Sequence, residues 1–152
     1  MDVTFQTGMG VPASFKVKYD EEGKLYKGYT DRRRLRSCCK VISADFKLKL
    51  LFTVKEGDFI GFEYLCRRED VPDEQLTKPL TLDGLVKMNV EPLIKKGFNV
   101  VAFNQAQAKY DKNARLLLIG EEKDDLSFYK ICKNMSFGID LNCLLNCILI
   151  EI

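Results

Sequence analysis

Apolar residues occupy every second position at Phe46, Leu48, Leu50, Phe52 and Val54, and nothing else in this 152-residue chain restricts its fold as much. Asp45, Lys47, Lys49, Thr53 and Lys55 stand on the opposite face of the run. A helix would spread those apolar side chains around its circumference. A strand sends alternate side chains to opposite faces, so this one buries one side and wets the other. Antiparallel sheets with one covered face show that pattern. Lys55-Glu56-Gly57-Asp58 supplies a turn, and residues 59–66, rich in aromatic side chains, return as a second strand. Phe15, Val17 and Tyr19 alternate with Lys16 and Lys18 in the same way. Asp20-Glu21-Glu22-Gly23 then turns the chain, and residues 24–29 come back as a partner strand. Residues 32–39 fit a basic loop, a short helix or an edge strand.

Beyond a polar connection at residues 67–79, which contains Pro72 and Pro79, the period changes. Leu82, Leu85, Val86, Asn89, Val90, Leu93 and Ile94 fit a helical stripe, with Thr81 as N-cap and Gly97 as the stop; Gly84 and Pro92 weaken it. Residues 98–103 and 115–119 read as short strands flanking a loop at 104–112. A second helix is expected from Asp124 and Asp125, with Phe128, Ile131, Cys132 and Met135 on one face and Lys130 and Lys133 toward the end that suits them. Ser136-Phe137-Gly138 ends it. Residues 139–152 fit two periods. As a helix, Leu141, Leu144, Leu145, Ile148, Leu149 and Ile152 share a stripe; as a strand, Ile139, Leu141, Cys143, Leu145, Cys147 and Leu149 share a face. Asp140 would cap the helix, which is the preferred reading, and such a helix offers a homodimer interface through residues 139–152. No internal repeat is apparent.

The expected architecture is therefore α+β: an antiparallel sheet of about five or six strands, one face covered by about two or three helices. With 46% apolar and 30% charged residues, residues 1–152 are expected to form one domain with a true core. That core is drawn from Phe15, Val17, Phe46, Leu48, Leu50, Phe52, Phe62, Tyr64, Leu85, Val100, Leu117, Phe128 and Ile131.

Charge is distributed unevenly. The whole chain carries +2, yet residues 24–49 hold nine basic residues against Asp31 and Asp45. Within it, Lys24, Tyr26, Lys27, Tyr29, Arg32, Arg33, Arg34, Arg36, Lys47 and Lys49 form the candidate binding surface, which Lys16 and Lys18 extend if the first hairpin forms. Cations replace counterions along phosphates and rings stack on unpaired bases, so RNA or single-stranded DNA is a possible partner. A nearly neutral chain is unusual for a dedicated nucleic-acid binder, and an acidic protein partner is favoured. A solvated loop whose charges confer only solubility is the plain alternative.

Composition narrows the chemistry. There is no histidine and no tryptophan, which removes the Ser-His-Asp and Cys-His arrangements and every histidine-bearing zinc site. An enzyme would have to rely on carboxylates or a cysteine, and no catalytic constellation is evident, so a non-catalytic module without a cofactor is expected. Cys38, Cys39, Cys143 and Cys147 make a weak candidate for a four-cysteine zinc site, since no C-x₂-C knuckle is present. Cys38 and Cys39 lie beside arginines that would lower a thiol's pKa, although buried structural thiols are commoner. Gly8-Met9-Gly10 lacks the rest of a dinucleotide or phosphate-loop fingerprint. No secretion signal or membrane-spanning stretch is read, so a cytoplasmic or nuclear setting with reduced thiols is expected.

Overall fold

Strand pairing, not helix packing, accounts for the regular structure. The structure is a computed structural model and describes residues 4–8, 15–30, 38–54, 56–83, 85–89, 99–101 and 106–152. Its strands are β1 (Phe5–Gly8), β2 (Lys18–Asp20), β3 (Leu25–Tyr29), β4 (Cys38–Ile42), β5 (Leu48–Thr53), β6 (Phe59–Leu65), β7 (Thr81–Asp83), β8 (Leu85–Met88), β9 (Asn99–Val101), β10 (Ala108–Asp111), β11 (Leu116–Gly120), β12 (Ser127–Cys132), β13 (Met135–Ile139) and β14 (Leu145–Glu151). Two six-stranded sheets have the orders β2-β3-β6-β5-β4-β9 and β10-β11-β14-β13-β12-β7, and β1 and β8 form a two-stranded ribbon.

Both early hairpins form as the alternation predicts. Lys18 pairs with Lys27 and Tyr19 with Tyr26, while Leu50 pairs with Phe62. The α+β expectation is corrected: the described residues contain no α-helix, and their helical geometry is confined to one 3-10 turn, Arg68–Asp70. Of the stripe expected to start at Leu82, residues 81–83 and 85–88 are strands, and residues 90–98 lie outside the described residues. Leu82 is half exposed on β7. Parallel pairing of β7 with β12, and antiparallel pairing of β8 with β1, satisfy the backbone instead. The second expected helix is the β12–β13 hairpin, turning at Lys133-Asn134. Ser127-Phe128-Tyr129-Lys130-Ile131-Cys132 is rich in strand-favouring side chains, and a short apolar run does not decide between the two periods. Residues 145–151, preferred as helix, are an interior strand between β11 and β13. Their Ile148 and Ile150 are fully buried, so the helical face proposed for a homodimer does not exist. Phe46 also departs from expectation. It sits in the β4–β5 turn at φ 60° and is 70% exposed, so the strand begins at Leu48.

One hydrophobic cluster joins the two sheets. Val41, Leu50, Phe52 and Phe62 from the first meet Leu117, Ile119, Phe137, Ile148 and Ile150 from the second. Phe137 lies 6.4 Å from Phe52 and 5.6 Å from Phe59 between ring centroids, and 5.7 Å from Phe5. The β1–β8 ribbon ties one end of this sandwich: Met88 N donates to Gly57 O in the β5–β6 turn, and Phe5 N donates to Cys143 O in the β13–β14 turn. Gly57 has φ +73°, and a Cβ there would stand 2.1 Å from Met88 O, so that crossing requires glycine.

The two sheets repeat each other, which the sequence reading did not anticipate. Each consists of a hairpin (β2–β3, β10–β11), a three-strand meander (β4–β5–β6, β12–β13–β14) and a parallel strand on the meander's outer edge (β9, β7). The register repeats too. The side-by-side row Lys18, Lys27, Glu63, Lys49, Ile42, Val101 corresponds to Lys109, Leu118, Leu149, Ser136, Lys130, Asp83. Lys18-Tyr19-Asp20 and Lys109-Tyr110-Asp111 are identical triplets at equivalent places. Asp20 Oδ1 accepts from the N–H of Glu22 and Gly23, and Asp111 Oδ1 from those of Asn113 and Ala114. Lys24 (φ 51°) and Arg115 (φ 56°) close the two turns, and their carbonyls accept from the N–H of Cys66 and Ile152.

Candidate interaction surface

The two outer faces carry opposite chemistry on this common scaffold. On the first sheet, Lys18, Lys27, Glu63 and Lys49 stand side by side across four strands. Neighbouring strands lie about 4.8 Å apart, so three ammonium groups and one carboxylate share a narrow band. Lys40 projects from the same face of β4, and exposed Lys16 precedes β2. Lys27 Nζ lies 3.6 Å from Asp20 Oδ2. On the second sheet the equivalent positions are Leu118, Leu149 and Ser136, and the outer cluster Leu116, Leu118, Cys147 and Leu149 is covered by Leu76.

That cover is a strap formed by residues 71–83. Tyr110 N donates to Pro72 O (2.9 Å) and Glu74 N to Tyr110 O (3.0 Å), capping the β10 edge. Glu74 pairs with Lys109 at 2.8 Å, Asp73 with Lys112 at 3.3 Å, and Leu76 N donates to Asp111 Oδ2. Lys78 pairs with Glu151, and the strap ends as β7 on the far edge.

The predicted binding residues divide. Lys18, Lys27 and Lys49 come together on one face. Lys24 is in the exposed β2–β3 turn, 3.8 Å from Glu21. Lys47 is exposed in a turn organised by Asp45, whose carboxylate accepts from Ser43 Oγ, Ala106 N and Lys47 N. Burial works against that carboxylate, but these donors outweigh it and hold its pKa below the usual value. Tyr26 faces the core, only 6% exposed and edge-on to Tyr19, and burial raises its pKa. It presents no ring for stacking. Tyr29 is half-buried at the end of β3. Arg32, Arg33, Arg34 and Arg36 lie outside the described residues. Glu63, Lys18 and Lys40 complete the band; the signal for Glu63 was its place opposite Lys49 in the second hairpin.

A groove of about 750 Å³ takes in none of the band's residues; Tyr64, Cys66, Ala106, Ala108 and Leu118 are among its lining, with charged Lys47, Arg67, Lys109, Asp70, Glu121 and Glu122 around it. Tyr64 donates to Ala106 O at 2.6 Å, and burial raises its pKa. Burial pushes the Cys66 thiol up to about 11. Both groups hold their protons near neutral pH. The same cause takes Cys39 to about 11 and Cys132 and Cys147 to about 12, so Cys39 is a structural thiol and not an activated one. None of the six cysteines, all of them among the described residues, forms a disulfide. Among the described residues no group of three or more His, Cys, Asp or Glu side chains is placed to hold a metal, so the four-cysteine zinc site is not assembled. Asp124 and Asp125 precede a strand and cap no helix.

Neither a protein-family model nor a curated protein matches the chain. Among the described residues no helix is long and apolar enough to cross a membrane.

Proposed function

We propose that this chain is a non-catalytic binding module whose lysine-bearing sheet receives an acidic protein partner. The observation that carries this is the row Lys18, Lys27, Glu63, Lys49. Three cations and one anion in fixed register match a protein surface of mixed charge with acid in excess. A uniform phosphate backbone would meet Glu63 at its centre and find no ring at Tyr26, so a protein is favoured over RNA or single-stranded DNA. The arginines at 32–34 and 36, which the sequence places between β3 and β4, raise the positive charge of residues 24–49. The six thiols, none of them in a disulfide, support a reducing setting, cytoplasmic or nuclear.

Titration with a fluorescent acidic peptide and with an oligonucleotide, at low and physiological salt, tests the reading. Exposed ion pairs contribute about 0.2–1 kcal/mol each. The triple reversal Lys18→Glu, Lys27→Glu, Lys49→Glu therefore weakens the acidic peptide about tenfold or more. Unchanged peptide binding in that variant refutes the surface. Tighter binding of the oligonucleotide, falling steeply with salt, replaces the protein partner by a nucleic acid.

A further inference from the structure

We propose that the free edge of β2 takes up an extended segment of the partner protein, which adds as a parallel strand beside Tyr19 and sets a carboxylate on Lys18. This rests on the reading of the lysine-bearing sheet as an acidic-partner surface. It goes further by specifying the mode of attachment and the residue pattern of the occupant.

The second sheet shows the arrangement already filled. Tyr110 turns its N–H and C=O away from β11, and Pro72 O and Glu74 N occupy them. Glu74 then reaches Lys109. Tyr19 and Lys18 are the equivalents of Tyr110 and Lys109 in an identical triplet. In antiparallel pairs, alternate residues turn their backbone groups toward and away from the partner strand. On β3, Lys24 O binds Cys66 N and Thr30 N binds Ile60 O, so even-numbered residues serve β6 and odd-numbered residues serve β2. Tyr26 therefore gives nothing to Tyr19, whose own N–H and C=O point to the open edge. Among the described residues no group takes them. An extended segment can supply both bonds by strand addition.

The occupant differs from the strap in stated ways. Glu21 stands where the second sheet has Lys112, and Lys24 and Arg68 approach it at 3.8 and 3.6 Å. The residue before the occupant's acid is therefore neutral or basic, where the strap has Asp73. Two residues after that acid, the strap's Leu76 rests on Leu116, Leu118, Cys147 and Leu149, whereas the equivalents here are Leu25, Lys27, Gly61 and Glu63. An acidic residue there meets Lys27. A second copy of β2 adding in the same parallel sense is a poor occupant, because Lys16 and Lys18 would face their own copies.

The probe is a synthetic peptide with the sequence of residues 71–78, carrying Lys in place of Asp73 and Glu in place of Leu76. We expect it to bind the full chain and to slow hydrogen exchange at the Tyr19 amide, leaving Tyr110 unchanged. Lys18→Glu weakens it about tenfold while Lys18→Arg retains it. Methylating the peptide nitrogen that corresponds to Glu74 N removes one donated bond and weakens binding about fivefold to tenfold. Binding that survives methylation without protecting Tyr19 overturns strand addition and leaves the lysine face standing. Protection at Tyr110 alone means the peptide displaces the strap, which also overturns it. No binding of any acidic peptide overturns both proposals.

Discussion

Phe137→Ala tests how the two sheets are held together. Phe137 is fully buried on β13, and its ring meets Phe5, Phe52 and Phe59, so one side chain touches the β1–β8 ribbon and the opposite sheet. Removing a buried Phe costs about 3–5 kcal/mol through lost transfer energy and the cavity left behind. Each aromatic pair adds roughly 0.5–1.5 kcal/mol beyond area, and the surrounding strands are fixed by their ladders and collapse little. A loss of about 4–5 kcal/mol follows, set against a total stability on the order of 5–15 kcal/mol. With a urea dependence of about 2 kcal/mol per molar, the midpoint falls by about 2 M. Phe137→Leu keeps most of the apolar volume and loses the ring contacts, so it costs about 1–2 kcal/mol. Phe46→Ala, at a 70% exposed turn position, stays within about 0.5 kcal/mol. Urea unfolding followed by tyrosine fluorescence and circular dichroism measures all three, and both signals are expected to move together in one transition. A Phe46→Ala loss equal to that of Phe137→Ala would return Phe46 to the core and refute the register. Two separated transitions would refute the shared core.

The strap and the thiols give further outcomes. Leu76→Ala uncovers Leu116, Leu118 and Leu149, lowers stability by about 2–3 kcal/mol and speeds cleavage of the strap after Glu74 by a glutamate-specific protease. Leu80→Ala, 97% exposed, does neither, and equal effects of the two would sink the strap as a cover. At pH 8 a maleimide labels exposed Cys143, while Cys39, Cys132 and Cys147 react only after unfolding. Burial raises those three thiols from an ordinary 9.0 to about 11 or 12, so the unfolded chain releases their protons first. Their contribution to stability is complete below about pH 9 and declines progressively as pH rises toward the folded values. A double variant Cys132→Ala, Cys147→Ala is expected to show a shallower alkaline decline, measured by thermal unfolding under reducing conditions; an unchanged slope would refute the assignment.

The strands with a one-sided environment were legible in the sequence, and those without one were not. Residues 48–50 and 62–65 alternate where the outer face is open, and Lys49 and Glu63 mark that face, although Leu51 and Thr53 farther along β5 are buried. β11 and β14 belong to a sheet buried on both sides, by the core beneath and the strap above. Leu116-Leu117-Leu118-Ile119 and Ile148-Leu149-Ile150 therefore lose alternation, and a continuous apolar run satisfies helix and strand templates alike. Cys132-Lys133-Asn134-Met135 crosses the β12–β13 turn, and its helical spacing there is coincidental. Half of the candidate surface was legible for the same reason. The lysines of wet faces alternate visibly, whereas the inward side of Tyr26 follows from the β2–β3 register, which depends on where the turn at Asp20 starts.

Duplicated register turns the contrast between the outer faces into an argument about function. The two halves share hairpin, meander and edge strand, so holding the fold requires no particular chemistry at Lys27, Glu63 and Lys49 or at Leu118, Leu149 and Ser136. The second sheet spends these positions on an internal ligand: Leu76 seals the apolar patch, and Glu74 and Asp73 neutralise Lys109 and Lys112. The first sheet has the same edge and the same triplet, yet keeps polar, charged positions where a self-sealed face has leucines. Lysines set side by side raise the energy of the isolated molecule slightly, because like charges in register repel. Such an arrangement is offset when opposite charge arrives from outside, and the filled edge of β10 shows the geometry in which this chain already binds acid.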